Sequence, residues 1–168
     1  MTKKIMVAFL VIALTFCVAC GGKSLPETAT CEQILTAATS AQSYDNVKTY
    51  IKGKVELDSF FMSLWADGSF EECQEYSLIS DYAICSSNDN KTFEIAILKA
   101  EKANDVGRLQ DLLERRKQTL SLGDKAEYDP DFKNLMSDSK ILTDGKFVIL
   151  LITEDNTSVV KSIEDLKK

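Results

Sequence analysis

The sequence predicts an α+β fold: a small two-layer sandwich with about four antiparallel strands in two hairpins and helices packed on the sheet. Two pairs of apolar or alternating segments are each joined by turn-forming residues, and a long amphipathic segment lies between the pairs. Strand pairs interspersed with helices in this way favour one sheet with helices on its faces. The length of 168 residues and the 45% hydrophobic content fit one packed domain, which we place at residues 31–168.

The folded part begins with a clear helix signal and continues with two less regular segments. Thr30 and Gln33 have the spacing of a capping box, and the apolar residues that follow predict a helix over residues 31–41. Residues 47–55 neither alternate cleanly nor repeat at helical spacing, so their conformation stays open. Residues 57–65 carry apolar side chains at spacings that predict a short helix, with its aromatic rings in the core.

A hairpin and a long helix come next. Residues 76–86 and residues 92–100 both alternate, and a cluster of turn-forming residues separates them, which predicts an antiparallel hairpin with a longer loop. Asn104 or Asp105 then caps the clearest helix of the chain, which ends at Gly123. The buried stripe of this helix consists of apolar residues at helical spacing: Val106, Leu109, Leu112, Leu113 and Leu120.

A second hairpin carries the sharpest local signal. It follows a shorter helix that starts at residues 129–131, and the Asp-Gly pair at 144–145 is the preferred pair for a two-residue hairpin turn. The unbroken apolar run at 147–152 predicts a strand that is covered on both faces and is therefore central. Asn156 or Thr157 caps a last helix, which is short enough that it must dock to persist.

The N-terminus has the pattern of a bacterial lipoprotein leader. Two lysines precede the apolar stretch 5–19, whose length suits a secretory signal and falls below the roughly 17–25 apolar residues that cross a bilayer. Ala19, Cys20 and two glycines then follow in the order of a lipoprotein cleavage box. We expect a signal peptide at 1–19, then a lipidated Cys20 and a flexible tether at 20–30. An ordinary cleaved signal peptide and an uncleaved short anchor are the alternatives.

Three cysteines remain after Cys20, so one disulfide and one free thiol are possible outside the membrane. We favour a Cys73–Cys85 disulfide, because both residues lie close in sequence near the first hairpin. The alternative, about as strong, is that Cys31, Cys73 and Cys85 are all unpaired small hydrophobic residues. Three cysteines without His and without paired short spacing do not form a zinc pattern, so we expect no metal site.

The composition and the isolated motifs exclude several classes of function. The chain has no His, which removes Ser-His-Asp catalysis, Cys-His catalysis and HExxH zinc chemistry. Its formal net charge of −6 is opposite to the clustered Lys and Arg of a nucleic-acid site. Ser158-x-x-Lys161 matches one element of penicillin-recognising enzymes, whose other elements are missing. The acidic residues at 124–131 fit a solvated linker, and the basic residues at 115–117 fit cations near a helix C-terminus.

Four short motifs occur in order in the second half of the chain: Glu94-Ile95-Ala96-Ile97-Leu98-Lys99, Arg115-x-x-Gln118, Tyr128-x-Pro130 and Asp144-Gly145-Lys146-Phe147-Val148-x-Leu150. Through their order and spacing, the stretch from about Tyr76 to the C-terminus resembles an uncharacterised family of Gram-positive lipoproteins, domain of unknown function 4358. The resemblance implies a small exported, lipid-anchored domain. It supplies no activity, cofactor or functional residue.

Together these observations predict a membrane-anchored bacterial lipoprotein on the extracytoplasmic face of the cell membrane. Its partners are the lipid bilayer, through the acylated Cys20, and an unknown protein or envelope component, but no nucleic acid. We expect a non-catalytic binding or envelope-assembly module, with no catalytic residues and no cofactor. The alternative is a small cell-envelope hydrolase or thiol enzyme that works without His.

Overall fold

Five strands and four α-helices form the part of the chain that this computed structural model describes, residues 23–57, 74–88, 93–122 and 129–168. In chain order they are α1 (Cys31–Ser40), β1 (Val47–Ile51), β2 (Ile79–Ser87), β3 (Glu94–Ala100), α2 (Val106–Leu122), α3 (Pro130–Ser137), β4 (Lys140–Asp144), β5 (Phe147–Ile152) and α4 (Asn156–Glu164). Short 3-10 turns lie at Gln74–Leu78, Ala103–Asp105 and Asp165–Lys167. Two predictions fall outside the described residues. They are the helix at 57–65, of which only Leu57 is described, and the helix end at Gly123.

The five strands form one antiparallel sheet in the order β1-β2-β3-β5-β4. The two predicted hairpins are present as β2–β3 and β4–β5, and β3 pairs with β5 between them. Every residue of β5 is buried, which confirms the prediction of a central strand. The additional strand, β1, is the stretch whose conformation the pattern left open. It lies at an edge of the sheet and buries Tyr50 alone among its five residues, so its alternation is weak in the sequence.

Helices cover both faces of the sheet, because successive side chains of each strand point to opposite faces and both sets are apolar in β3 and β5. One core lies under α1 and α4 and includes Ile34, Leu35, Val159 and Ile163. The other lies under α2 and α3 and includes Leu109, Leu112, Phe132 and Met136. The predicted α+β fold is confirmed, with five strands instead of four. The sheet is the middle of three layers rather than one of two.

The two ends of the sheet are distinguished by the elements that begin and end there. At one end β4 stops at Asp144 and β5 starts at Phe147. We call this the strap end, because residues 25–30, the strap, contact the sheet there. At the opposite, far end β3 starts at Glu94 and β5 stops at Ile152. α4 therefore begins at the far end and returns to the strap end, where Lys167 binds Asp144 at 2.7 Å.

The helix starts follow local capping chemistry. The capping box at α1 is confirmed, because the Thr30 side chain accepts from the Gln33 backbone N–H and the Gln33 side chain accepts from that of Thr30. Asp129 caps α3, immediately before Pro130, as its sequence indicates. Asn104 and Asp105 lie in a 3-10 turn, and α2 starts after them at Val106.

The predicted cap of the last helix is wrong by one residue. Asp155, rather than Asn156 or Thr157, caps α4, and its carboxylate accepts from the backbone N–H groups of Thr157 and Ser158 at 3.1 and 3.0 Å. Asn156 is instead buried. Its side-chain amide donates to the Asp138 carbonyl, and its side-chain oxygen accepts from the Thr153 hydroxyl, each at 2.8 Å. Because Thr153 and Asp138 hold the Asn156 side chain inside the fold, the neighbouring Asp155 caps the helix.

Candidate functional site

The strap is packed on the domain instead of being a free spacer. The Leu25 side chain is 4% exposed and belongs to the core under α1 and α4. The backbone N–H of Leu25 donates to the Asp144 carboxylate at 3.0 Å, and the other oxygen of that carboxylate binds the Lys167 ammonium. This corrects the expectation of a flexible tether over all of residues 20–30. From Leu25 onwards, a buried side chain and backbone hydrogen bonds hold the chain.

Lys99 of β3 holds the middle of the strap against the sheet. Its ammonium donates to the backbone carbonyls of Glu27 and Ala29, at 2.6 and 3.0 Å. The same ammonium lies 4.9 Å from the centre of the Phe147 ring, a cation–π distance. A lysine in a largely buried strand is expected to have such partners, because burying part of a cation costs free energy unless it is paired. The position of Lys99 in a strand indicates that it needs partners, but the sequence does not identify the carbonyls of Glu27 and Ala29.

The strap ends at Cys31, the first residue of α1. The backbone N–H of Cys31 donates to the Asp81 carboxylate of β2 at 2.8 Å, and the Cys31 side chain is fully buried. Burial raises the pKa of the Cys31 thiol well above its usual range, and the negative charge and hydrogen bond of Asp81 raise it further. The thiolate is the reactive form of cysteine, so this environment suppresses nucleophilic chemistry at Cys31.

Cys85 lies in a groove of about 390 Å³ between α1 and β1. The Cys85 side chain is 3% exposed, and its sulfur accepts a hydrogen bond from the Thr49 hydroxyl at 3.6 Å. Burial raises the pKa of the Cys85 thiol, against a lowering effect of the Thr49 hydrogen bond. The groove therefore presents a protonated thiol at neutral pH. Like Cys31, Cys85 is placed as a packing residue rather than as a nucleophile.

An aromatic pair, Tyr44 and Phe93, lies beside the groove. Their rings stack with centroids 4.0 Å apart. Burial raises the pKa of Tyr44 to about 12, against a lowering effect of a hydrogen bond with the Thr153 side chain. The Tyr44 ring also lines the groove beside Cys85. The other described lining residues are apolar or hydroxyl-bearing except for the amide of Gln42 and the carboxylate of Glu32, which is the one charged group among them.

Of the cysteines that the sequence marks as candidates, the structure places two. Cys31 and Cys85 are buried and unbonded to each other. Cys73 lies outside the described residues, so the Cys73–Cys85 disulfide stays a prediction. Cys20, the expected lipidation site, also lies outside them. Across the described ranges, no group of three or more acidic or cysteine side chains is arranged to hold a metal ion.

A buried ion pair at the far end joins α2 to β3. The Arg116 guanidinium donates from Nε and Nη2 to the two carboxylate oxygens of Glu94, at 3.2 and 2.8 Å. The side chains of Arg116 and Glu94 are only 10% and 2% exposed. Neighbouring Arg115 binds Glu75 at 3.0 Å on a more exposed surface. Arg115 and Arg116 thus have structural partners, but these are carboxylates of other elements: the last turn of α2 contains no basic residue, contrary to the expectation of cations at the helix C-terminus.

The other isolated motifs also have local structural uses. Ser158 donates from its hydroxyl to the Asp155 carboxylate at 2.6 Å, within the cap of α4. Asp129 caps α3, whereas Asp124 and Glu127 lie outside the described residues. No α-helix in the described ranges is long and apolar enough to cross a bilayer.

The fold is a three-layer α+β domain. Its best-paired polar side chains have structural roles: Lys99 binds the strap, Asp155 caps α4, and Arg116 pairs with Glu94 at the far end. Residues 75–153, just under half of the chain, match the family model described as Domain of unknown function (DUF4358). The match confirms the resemblance to this domain and spans β2 to β5 with α2 and α3. No curated protein and no solved structure matches the chain.

Proposed function

We propose that this protein is a bacterial lipoprotein, anchored to the extracytoplasmic face of the membrane through lipid on Cys20, whose domain binds a partner or supports an envelope assembly without catalysing a reaction. The observation that carries the proposal is the leader: two lysines, fifteen largely apolar residues, and then Ala19-Cys20-Gly21-Gly22. An apolar stretch of that length suits export and processing better than spanning. More than one acyl chain on Cys20 would give a stable anchor.

The position of the strap supports this assignment. Among the described residues, the first buried side chain is that of Leu25, five positions after Cys20. A modified cysteine would thus be joined to a folded domain through a short link, with no part of the described domain lost on cleavage before Cys20. Gly21 and Gly22 place no bulky side chain next to the site of modification.

The non-catalytic role is supported by the state of the described thiols. A thiol enzyme needs an accessible cysteine with a lowered pKa or a base beside it. Cys31 and Cys85 have the opposite properties, since burial shields both and raises the pKa of each. These observations favour a binding or assembly module over the alternative of a thiol enzyme.

Metabolic labelling with a fatty acid tests the anchor. Cells that express the full chain should incorporate the label, and Cys20→Ala should abolish it, because no other residue holds the acceptor position of the cleavage box. Cys17→Ala is the matched control, since it removes a nearby thiol within the leader and should leave labelling intact. Labelling of the Cys20→Ala variant, or a mass spectrum of the native protein with an unmodified N-terminus, would contradict the proposal.

A further inference from the structure

We propose that the strap end of the domain is the surface that faces the phospholipid headgroups, while the far end points away from the membrane. The inference rests on the proposed lipidation of Cys20. The partner is the lipid surface itself, and the surface is built around Asp144, Lys146, Leu166 and Lys167, close to the point where Leu25 enters the fold.

The length of chain between the lipid and the fold limits the orientation. Four residues lie between Cys20 and Leu25, so five Cα–Cα steps join the two. A fully extended chain spans at most about 3.6 Å per residue, so Leu25 lies within roughly 18 Å of the acylated cysteine. This is a covalent upper limit, whatever conformation the linking residues adopt.

The far end is too distant to meet the same surface. β3 has seven residues from Glu94 at the far end to Ala100 near the strap end. At about 3.4 Å per residue this strand alone covers roughly 20 Å. If the far end rested on the headgroups, the link would have to run back past the whole sheet, and five residues do not reach. The short chain between Cys20 and Leu25 therefore favours an orientation in which the strap end lies against the membrane surface.

The chemistry of the strap end suits a headgroup layer. Leu166 is 37% exposed, one of three large apolar side chains with that much exposure among the described residues, and it shares a shallow groove with Pro26 of the strap. Lys146 and Lys167 are partly exposed at the same end of the sheet. The Lys146 ammonium donates to the Glu101 carbonyl, and the Lys167 ammonium pairs with the Asp144 carboxylate. An anionic leaflet attracts lysine side chains close to its surface, and an apolar side chain can enter the headgroup boundary.

Amine footprinting of the acylated full-length product in phosphatidylglycerol-containing vesicles tests the orientation. A water-soluble amine-reactive ester modifies exposed lysines, and mass spectrometry gives the extent of modification at each one. The internal comparison uses Lys146, in the β4–β5 turn, and Lys140, at the other end of the same hairpin. A second protein, with about twelve Gly and Ser residues inserted between Gly22 and Lys23, adds up to roughly 40 Å of reach and provides the unprotected baseline.

With the natural link, we expect modification of Lys146 and Lys167 to be several-fold lower than in the spacer variant, and modification of Lys140 to be equal in the two proteins. Equal modification of Lys146 in both, with the acyl group present on the N-terminal peptide, would overturn the orientation but leave the lipoprotein assignment standing. Protection of Lys140, or of Lys161 on α4 in place of Lys146, would overturn it as well. An N-terminal peptide without acyl chains would overturn both proposals.

Discussion

Cys31 and Cys85 show how the surroundings of a single residue bear on function. In a compartment outside the cytoplasm a free thiol invites a catalytic or redox interpretation. Each of these two side chains is at most 3% exposed, and burial raises the pKa of each thiol. Asp81 adds a carboxylate next to Cys31, which disfavours the thiolate further. Both environments therefore disfavour the thiolate, which is the form of cysteine that nucleophilic catalysis requires.

We predict that iodoacetamide modifies Cys31 and Cys85 slowly in the folded protein from pH 6 to pH 9. A raised pKa keeps the thiolate fraction low across this range, with about a tenfold loss of thiolate for each unit of increase. Mass spectrometry of quenched time points measures the modification of each cysteine. The same chain unfolded in urea is the control, and its cysteines should react increasingly as the pH rises toward about 8.5, the ordinary thiol pKa.

An activated thiol would give the opposite pH profile. Its pKa would be low, so modification of the folded protein would already be fast at pH 6 to 7 and faster than in urea. Such a result at either cysteine would favour the alternative of a thiol enzyme over the proposed binding module.

Sequence reasoning at the residue scale identified local chemistry but not long-range partners. The capping box of Thr30 and Gln33 was predictable, because both halves lie within one helical turn. The contacts of Lys99 with Glu27 and Ala29 were not, because they join residues about seventy positions apart and depend on where the strap crosses the sheet. The same holds for the groove that contains Cys85, which forms only when α1 lies beside β1.

Among the elements, α2 and β3 are joined by one buried ion pair in addition to their apolar contacts. Arg116 and Glu94 are separated by 22 positions and meet through two hydrogen bonds at the far end. Bringing both charges out of water is unfavourable in itself, and only mutual pairing compensates for it. The pair therefore sets the position of α2 over the sheet more than it adds to stability.

We predict that Arg116→Met lowers the free energy of unfolding by about 3–5 kcal/mol, because it leaves the Glu94 carboxylate buried without its partner. Adding Glu94→Gln to the same chain should recover part of this loss, since the buried charge is then removed as well. Urea denaturation followed by circular dichroism measures both effects.

The matched control is Arg115→Met, one residue earlier on the same helix. Arg115 is 41% exposed in its pair with Glu75, and ion pairs of this kind contribute about 1 kcal/mol or less. If Arg115→Met and Arg116→Met lower the free energy of unfolding equally, burial of the Arg116–Glu94 pair does not increase the cost of breaking it.

The elements themselves were largely predictable, and the exceptions have physical causes. Both hairpins carried local signals: alternation around a polar loop in one, and an Asp-Gly turn before an apolar run in the other. β1 lacked such a signal because an edge strand buries few of its residues. The last helix was placed correctly, but its cap fell one residue earlier than expected, since tertiary hydrogen bonds draw Asn156 into the interior.

For the molecule as a whole, the strap decides where the domain begins. A lone Leu between two glycines and a proline shows no periodicity, so the sequence favoured a flexible tether for all of residues 20–30. The folded chain provides a site for that Leu between α1, α4 and the sheet, and Asp144 and Lys99 bind the adjacent backbone. The chain between Cys20 and its first anchored residue is therefore shorter than the predicted tether, and the proposed orientation depends on this short distance.

We predict that Leu25→Ala lowers the free energy of unfolding by about 2 kcal/mol or more, because it removes buried apolar groups and leaves space beneath the strap. It should also raise the modification of Lys99 by an amine-reactive ester, since a loosened strap no longer covers the Lys99 ammonium. Urea denaturation and mass spectrometry of a chain that begins at Gly21 measure the two effects.

Leu122→Ala is the matched control, because it makes the same chemical change at a side chain that is 85% exposed. Its effect on stability should stay within about 0.5 kcal/mol, and it should not alter Lys99. If Leu25→Ala and Leu122→Ala behave alike, the strap contributes little to the fold and can detach at little cost. The effective link from Cys20 would then extend to the start of α1, and the restriction on orientation at the membrane would be lost with it.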